Sequence, residues 1–216
     1  MKNIYDVAII NYEMGNLRSI QSACSYVGLK TIITKDPKII TKCKSIFLPG
    51  VGAFNQAMKN IKKYRLAKTI IDFKKSGKPI IGICLGMQLF FEQSQEIKKT
   101  KGLGIIKGKV SSLIDNNKKN SGINIGWNKI KIKKIKKSNL NAKLNNKSFY
   151  FIHKFHCIPK SKSIILAKSK FNNKEFCAAI KYENIEGYQF HPEKSGNNGL
   201  MIYKNLKNKI LNENFF

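Results

Sequence analysis

Arginine is scarce in this sequence of 216 residues, although the chain is strongly basic. Only Arg18 and Arg65 are arginines among 41 basic residues, which outnumber the acidic residues by 29. Such a charge attracts polyanions at low salt, but arginine does most of the bidentate reading of bases and phosphates. Lysines also occur in every segment rather than on one helix. The composition therefore favours solvated lysine surfaces without a specific nucleic-acid site, and a lysine-rich nucleic-acid binding protein is the alternative from another functional class.

Paired cysteines and long apolar runs are also missing. The five cysteines form no C-x-x-C pair and show no metal-like spacing with the three histidines, which argues against disulfides and against a zinc site. No apolar run approaches the roughly 20 residues that a membrane span needs, and the N-terminus shows no signal-peptide pattern. We therefore expect a cytoplasmic protein with no bound metal, no cofactor and no membrane association.

The segment from Lys78 to Phe91 combines a short apolar run, a cysteine between two glycines and a second apolar stretch. The β-branched residues at its start predict a buried parallel strand, and the spacing from Leu85 to Glu92 predicts a helix. Cys84 is then placed on the turn between them, where the free N–H groups and the dipole of the helix favour a thiolate. Gly82 and Gly86 flank it as in a nucleophile elbow. A buried core cysteine is the alternative interpretation.

A base and an orienting carboxylate for this thiol lie near the other end of the chain. His191 and Glu193 flank Pro192, whose ring fixes the backbone between them. A nucleophilic thiol needs a base, and the base needs an acceptor that fixes its tautomer. An H-P-E tripeptide alone is weak evidence, but together with the elbow it predicts a catalytic triad of Cys84, His191 and Glu193.

Short apolar strands alternate with helical patterns in the first half of the chain, which indicates a parallel sheet covered by helices. The predicted strands of this part are 5–10, 31–34, 45–48 and the strand before the elbow, which Pro79 begins. After Gln95, short alternations with polar outer faces predict a mixed or antiparallel extension that returns to the main sheet and brings His191 to the elbow. We expect one α/β domain over residues 1–216, which ends in a helix at 200–211.

Two histidines occupy the predicted strand 148–158. His153 and His156 are three residues apart, so their side chains should face opposite sides of the strand. We interpret both as structural rather than catalytic. Two stretches rich in lysine and asparagine, 115–122 and 136–147, are predicted to be polar connections.

The motifs around the predicted triad resemble those of the class I glutamine amidotransferases, which have a flavodoxin-like fold. The resemblance rests on Gly-Ile-Cys-Leu-Gly-Met-Gln at 82–88 and Gln-Phe-His-Pro-Glu at 189–193. Finer matches are similar to the glutaminase subunits of imidazole glycerol phosphate synthase, from histidine biosynthesis; they lie at 13–19, 48–54, 126–128 and 190–196. Related glutaminases that supply ammonia for amino sugars of bacterial surface polysaccharides are the alternative.

The resemblance implies a substrate and a partner. The substrate is glutamine, and the ammonia released from it passes to a separate (β/α)8 cyclase subunit in a heterodimer. In the family, amides of a loop that matches Gly50, Val51 and Gly52, together with the N–H of Leu85, hold the oxyanion, and Gln88 belongs to the glutamine pocket. The glutaminase is expected to be nearly silent until the cyclase binds its own ligand, with that loop as the switch.

Five positions depart from the family pattern. Asn11 stands where Asp is frequent, and Glu13 stands where Gly is usual. Ile123 and Asn124 replace a usual Pro-His, and Lys154 stands where Ser is common. Because the strand of Lys154 borders the implied glutamine pocket, we expect this lysine to be harmless only if the strand makes its contacts there through the backbone.

Overall fold

The structure is a computed structural model that describes residues 5–113, 122–133 and 138–212. Within these ranges the chain forms 14 strands and six helices. The strands are β1 (Val7–Ile10), β2 (Thr31–Thr34), β3 (Ser45–Leu48), β4 (Ile80–Ile83), β5 (Phe91–Ser94), β6 (Thr100–Lys101), β7 (Ile106–Ser112), β8 (Asn124–Lys129), β9 (Lys131–Ile132), β10 (Ser148–His153), β11 (Phe155–Pro159), β12 (Ile165–Phe171), β13 (Lys174–Tyr182) and β14 (Ile185–Tyr188). The helices are α1 (Leu17–Tyr26), α2 (Pro37–Ile40), α3 (Phe54–Lys63), α4 (Leu66–Lys75), α5 (Leu85–Leu89) and α6 (Gly196–Asn212). Most of the predicted connection 115–122, and the start of the one at 136–147, lie outside the described residues.

The main sheet has the strand order β2-β1-β3-β4-β14-β13-β12-β9 among the described residues. The strands from β2 to β14 are parallel to their neighbours, and those from β14 to β9 are antiparallel. This confirms the predicted parallel sheet with an antiparallel extension. The extension returns through β14, which pairs with β4.

Two smaller sheets lie beside the main one. One has the order β11-β7-β5-β6, and the other pairs β10 with β8. None of the helices in the described ranges has the length and apolar character needed to cross a bilayer.

Both faces of the main sheet are buried. In β1, Val7 and Ile9 belong to one hydrophobic cluster, whereas Ala8 and Ile10 belong to another. Helices α1 and α6 contribute to the first cluster, and α3 and α4 contribute to the second. Burial on both sides explains why the parallel strands are continuous apolar runs in the sequence.

The helix that follows Cys84 is shorter than predicted. It ends at Leu89, and Glu92 lies in β5, so the prediction of helical spacing as far as Glu92 was wrong. Strand β5 pairs with β6 and β7, and this ladder outweighs the helix propensity of a short segment.

The predicted strand 148–158 is interrupted at Lys154. Strand β10 ends at His153 and pairs with β8, whereas β11 begins at Phe155 and pairs with β7. The prediction that His153 and His156 share one strand was therefore wrong, although both side chains are buried. Burial, together with the charge of Lys174, lowers the pKa of His156 to about 4.

Replacing His156 with leucine should make the protein less sensitive to acid. The unfolded chain binds a proton at this histidine below about pH 6.5, whereas the folded chain does so only near its pKa of about 4, so native stability falls as the pH drops through this window. Between pH 7 and pH 5 we expect the wild type to lose about 2 kcal/mol more unfolding free energy than His156→Leu, measured by urea denaturation. Equal losses in the two proteins would contradict a buried neutral imidazole.

Gly86 in α5 lies against the end of β3. A Cβ atom on Gly86 would lie 1.7 Å from the carbonyl oxygen of Leu48, whereas one on Gly122 would meet nothing within 4 Å. We expect Gly86→Ala to lower the unfolding free energy by about 2–3 kcal/mol or more, because backbone atoms must move. The matched variant Gly122→Ala should stay within about 0.5 kcal/mol of the wild type. Chemical denaturation compares the two, and equal stabilities would argue against this close approach.

Candidate active site

Cys84 lies on the sharp turn between β4 and α5. Its backbone has φ 53° and ψ −111°, a region that side-chain-bearing residues rarely occupy and that is typical of strained functional turns. The N–H of Cys84 donates to the carbonyl of Tyr188 at 2.7 Å. Because the next residues begin α5, the thiol stands at the N-terminus of that helix. The predicted sequence of strand, turn and helix is therefore confirmed.

The parallel pairing of β4 with β14 brings His191 to the elbow. Tyr188 lies opposite Ile83 in the register of the two strands, so both chains leave the sheet side by side at the same edge. The N–H of His191 donates to the carbonyl of Tyr150 at 2.9 Å. The hydroxyl of Ser195 donates to the carbonyl of His191 at 2.6 Å. These bonds fix the backbone from which the imidazole projects.

His191 and Glu193 form a buried pair. Nδ1 of His191 lies 2.7 Å from Oε1 of Glu193, and the two side chains are 2% and 1% exposed. On the other side of the ring, Nε2 makes no hydrogen bond of standard geometry with a described residue, yet the ring interacts with the thiol of Cys84. Catalytic hydrogen bonds are often long before substrate binds. The structure thus brings Cys84, His191 and Glu193 together.

The protonated form of His191 is favoured at this site. Burial alone would lower the pKa of the imidazole, but its hydrogen bonds and electrostatic interactions with Cys84 and Glu193 outweigh that cost and raise the pKa to about 10. Acceptor groups beside an imidazole favour its protonated form. Near neutral pH, His191 therefore carries a proton that it can give to a leaving group.

Two groups hold the sulfur of Cys84. The thiol donates to the carbonyl of Ile152, and Nε2 of Gln189 donates to the sulfur, each at 3.7 Å. Gln88 in turn donates through Nε2 to the carbonyl of Phe155 at 3.0 Å and to Oε1 of Gln189 at 3.1 Å. Both amide hydrogens of Gln88 are therefore engaged within the protein, so that only its carbonyl oxygen remains for a ligand.

The glycine loop after β3 lies partly against the elbow. A Cβ atom on Gly50 would lie 2.8 Å from Cβ of Leu85 and 3.1 Å from the backbone nitrogen of Gly86. Val51 is 41% exposed, and Gly52 has φ 114°, which favours glycine. Gly50 and Leu85 are thus next to the nucleophile, whereas Val51 and Gly52 lead away to the surface.

Sequence reasoning missed three residues that support the site. The buried hydroxyl of Tyr12 donates to the carbonyl of Pro49 and anchors the glycine loop. Burial and the nearby Cys84 raise the pKa of Tyr12 far above its usual value, so the donor stays protonated. Gln189 and Ser195 lie inside the matched motifs but carry no reaction chemistry of their own, and no local pattern connects Tyr12 with the loop.

The departures at Lys154 and Glu13 leave the arrangement around the elbow intact. The side chain of Lys154 is exposed, while the carbonyls of Ile152 and Phe155 on either side contact Cys84 and Gln88. The strand therefore presents backbone to the elbow.

Glu13 adopts a conformation that suits glycine. Its φ is 65°, which explains why glycine is usual at this position. The carboxylate accepts a hydrogen bond from Tyr64 and lies 3.6 Å from the ammonium of Lys35. These contacts offset part of the backbone strain.

The other four cysteines are buried thiols. Burial raises the pKa of Cys43 to about 11 and that of Cys177 to about 12. It also raises the pKa of Cys24 and of Cys157 well above the usual range. Such thiols are inert at neutral pH. Across the described ranges, no three or more His, Cys, Asp or Glu side chains group in a way that could hold a metal ion.

Comparison with known proteins places this geometry in a family. A profile of the glutamine amidotransferase class-I family matches residues 8–209. The imidazole glycerol phosphate synthase subunit HisH of Pyrococcus furiosus is 42% identical over 93% of this chain and 97% of its own length. The HisH subunits of Sulfurimonas denitrificans and Aquifex aeolicus are 40% and 39% identical to this chain. Both alignments span 93% of this chain, and they span 100% and 95% of the two relatives.

Solved structures share the fold at low sequence identity. The structure of PurLQS from Thermotoga maritima superimposes with a TM-score of 0.74 and 16% identity, over 94% of this chain and 98% of the other. The glutaminase domain of Trypanosoma brucei CTPS with bound acivicin superimposes with a TM-score of 0.64 and 15% identity, over 95% of this chain and 93% of the other. With the profile match and the relatives above, the chain belongs to the class-I glutamine amidotransferases and, among them, to the family of HisH subunits of imidazole glycerol phosphate synthase.

Proposed function

We propose that this protein is the glutaminase subunit of imidazole glycerol phosphate synthase. It hydrolyses glutamine to glutamate and ammonia, and a cyclase subunit uses the ammonia to make imidazole glycerol phosphate and an aminoimidazole carboxamide ribotide. The observation that carries the proposal is the strained Cys84 beside the buried pair of His191 and Glu193. Membership of the HisH family supports imidazole glycerol phosphate synthesis as the use of the ammonia, rather than the synthesis of surface polysaccharides.

The first half of the reaction forms a thioester. The thiolate of Cys84 attacks the side-chain carbonyl carbon of glutamine, and the carbonyl oxygen becomes an oxyanion. As the carbon–nitrogen bond breaks, His191 gives its proton to the departing nitrogen, which leaves as ammonia. Glu193 keeps Nδ1 of His191 engaged, so that the proton is transferred from Nε2.

The second half releases glutamate. His191, now neutral, takes a proton from water, and the resulting hydroxide attacks the thioester carbon; the carbon–sulfur bond then breaks and the thiolate re-forms. The N–H of Leu85 and the amides of Gly50, Val51 and Gly52 hold the oxyanion in both halves, once Val51 and Gly52, which lead to the surface in the resting structure, have turned towards the elbow. Losing one such donor typically costs about 2.7–4 kcal/mol of activation free energy.

The carbonyl oxygen of Gln88 accepts a hydrogen bond from the α-ammonium group of glutamine, because its amide hydrogens are already engaged. A closed resting state is supported by the low exposure of Cys84, 5%, and by the contact of its thiol with the carbonyl of Ile152. The cyclase must therefore open the site, with the Gly50–Gly52 loop as the switch.

The chain works as one glutamine amidotransferase domain in the cytoplasm, without a cofactor or metal. Specific nucleic-acid binding forms no part of the proposal, because the described lysines lie across all segments of the surface. Binding of duplex DNA should therefore be seen only at low salt, whereas strong, salt-steep binding that survives in Cys84→Ala would favour the nucleic-acid binding protein instead.

The docking surface for the cyclase subunit is an apolar stripe formed by β8 and the residue before it. Ile123, Ile125 and Trp127 alternate along the chain and are 52%, 58% and 57% exposed. Ile125 lies opposite Ile152 on β10, whose carbonyl contacts the thiol of Cys84, so the stripe borders the active site. Exposed apolar patches of this kind are typical of protein interfaces.

Substitutions in the triad test the chemistry. Cys84→Ala and His191→Ala, assayed for glutamate release with the cyclase subunit and its ligand present, should lower kcat by at least about 10⁴-fold. Glu193→Gln should lower it by up to about 10⁴-fold because the amide cannot hold the correct tautomer. Circular dichroism checks that each variant folds. Glutaminase activity that survives in folded Cys84→Ala would refute the assignment.

Substitution of Trp127 tests the docking surface. Trp127→Ala should weaken binding of the cyclase subunit by about 2 kcal/mol, or roughly 30-fold in Kd, since buried aromatic side chains dominate interface energies. Tyr26, 72% exposed at the far end of α1, provides the matched control, and Tyr26→Ala should leave Kd unchanged. Isothermal titration calorimetry measures both. Equal Kd values for the two variants would place the partner on another surface.

A further inference from the structure

A chain of buried and partly buried hydrogen bonds runs from β8 to the sulfur of Cys84. It involves five side chains besides the cysteine and one backbone carbonyl. The bonds are Asn128 Nδ2 to Asn124 Oδ1 at 2.7 Å, Asn124 Nδ2 to His153 Nε2 at 2.9 Å, His153 Nδ1 to Phe155 O at 2.9 Å, Gln88 Nε2 to Phe155 O at 3.0 Å, Gln88 Nε2 to Gln189 Oε1 at 3.1 Å and Gln189 Nε2 to Cys84 Sγ at 3.7 Å.

The carbonyl of Phe155 fixes the orientation of both glutamine amides. A carbonyl can only accept, so Gln88 must turn its NH₂ group towards Phe155. The second hydrogen of that group reaches Gln189, whose oxygen must therefore face Gln88. The NH₂ group of Gln189 is then left to face Cys84. Gln189 is fully buried, so it cannot rotate its amide without losing a hydrogen bond that water would not replace.

The same carbonyl fixes the outer part of the chain. Nδ1 of His153 must donate to Phe155, so Nε2 of the neutral ring accepts from Asn124. Asn124 then presents its oxygen to Asn128. A protonated ring would place two donors against each other at Asn124, which agrees with the pKa of His153, lowered by burial to about 3. Asn124, which departs from the family pattern, is therefore well matched to this position.

The sulfur of Cys84 lies between one amide donor and one carbonyl acceptor, and the titratable side chains that interact with it are His191, Tyr12 and Cys157. A neutral thiol can use both the amide and the carbonyl, because its hydrogen points to the carbonyl of Ile152 while its lone pair accepts from Gln189. A thiolate cannot donate to Ile152 and keeps the hydrogen bond from Gln189 beside its interaction with His191, and hydrogen bonds to a charged acceptor are about twice as strong. We propose that Gln189 is a positioning residue that stabilises the thiolate of Cys84 and that Gln88, held by Phe155, keeps the amide of Gln189 in the required orientation.

This inference rests on the proposed role of Cys84 as the nucleophile, but its test does not require turnover. The rate at which iodoacetamide alkylates Cys84 in the full chain, with the cyclase subunit and its ligand present to open the site and followed by mass spectrometry from pH 5 to pH 10, reports how readily the thiolate forms. The other four cysteines, whose pKa is raised by burial, serve as an internal control for unfolding. Cys84→Ala identifies the labelled site.

Three variants change the proposed contact in different ways. Gln189→Met removes the donor and should move the midpoint of the alkylation profile up by about one pH unit, which slows labelling about tenfold at pH 7. Gln189→Glu is nearly isosteric and should move the midpoint further up, because it brings a carboxylate oxygen to the sulfur. Gln88→Met frees the amide of Gln189 to rotate, and its midpoint should move in the same direction.

Asn184 provides the matched control. It is a buried amide that donates to the carbonyls of Lys74 and Lys78, away from Cys84, so Asn184→Leu should lower stability but leave the alkylation midpoint unchanged. A wild-type midpoint in folded Gln189→Met, or in Gln189→Glu if the methionine variant does not fold, would overturn the proposal. Failure of the proposed function would be seen differently, as a wild-type protein that releases no glutamate with its cyclase partner.

Discussion

The candidate site depends on the parallel pairing of β14 with β4. In the part of the sequence that the structure describes, nine strands separate β14 from β4, its neighbour in the sheet. At β14 the antiparallel extension rejoins the parallel sheet. Its register places Tyr188 opposite Ile83, so the turns that carry Cys84 and His191 leave the sheet together. A slip of one residue would turn every side chain of β14 to the opposite face. Burial of both faces of the sheet therefore fixes the site as well as the fold.

The backbone strain at Cys84 and the burial of His191 both cost free energy, which contacts in the surrounding structure offset. Cys84 has a positive φ, which costs on the order of 1–3 kcal/mol, and the approach of α5 to β3 leaves room only for glycine at position 86. The imidazole of His191 lies between a carboxylate and a sulfur, and its interactions with Glu193 and Cys84 offset the cost of its burial.

The sequence predicted those features that depend on local residue patterns. The strands at 31–34 and 45–48 have the predicted bounds. The elbow and the H-P-E motif could be recognised in the sequence because their residues, Cys84, His191 and Glu193, are types that carry reaction chemistry. The end of α5 and the break at Lys154 depend on which distant strands pair with β5, β10 and β11, and Tyr12 and Gln189 act only through partners far away in the sequence. Such contacts leave no local periodicity.

Strand β8 has side chains of different kinds on its two faces. Ile125 and Trp127 point outwards, whereas Asn124 and Asn128 are hydrogen-bonded to each other, and Asn124 continues to His153 on β10. Because successive side chains of a strand lie on opposite faces, β8 exposes apolar side chains on one face and carries the amides of Asn124 and Asn128 on the other. The hydrogen bonds that continue from Asn124 through His153, Gln88 and Gln189 end at the sulfur of Cys84. The same strand therefore carries the proposed docking surface and the outer end of the hydrogen-bonded chain that orients the donor at the nucleophile.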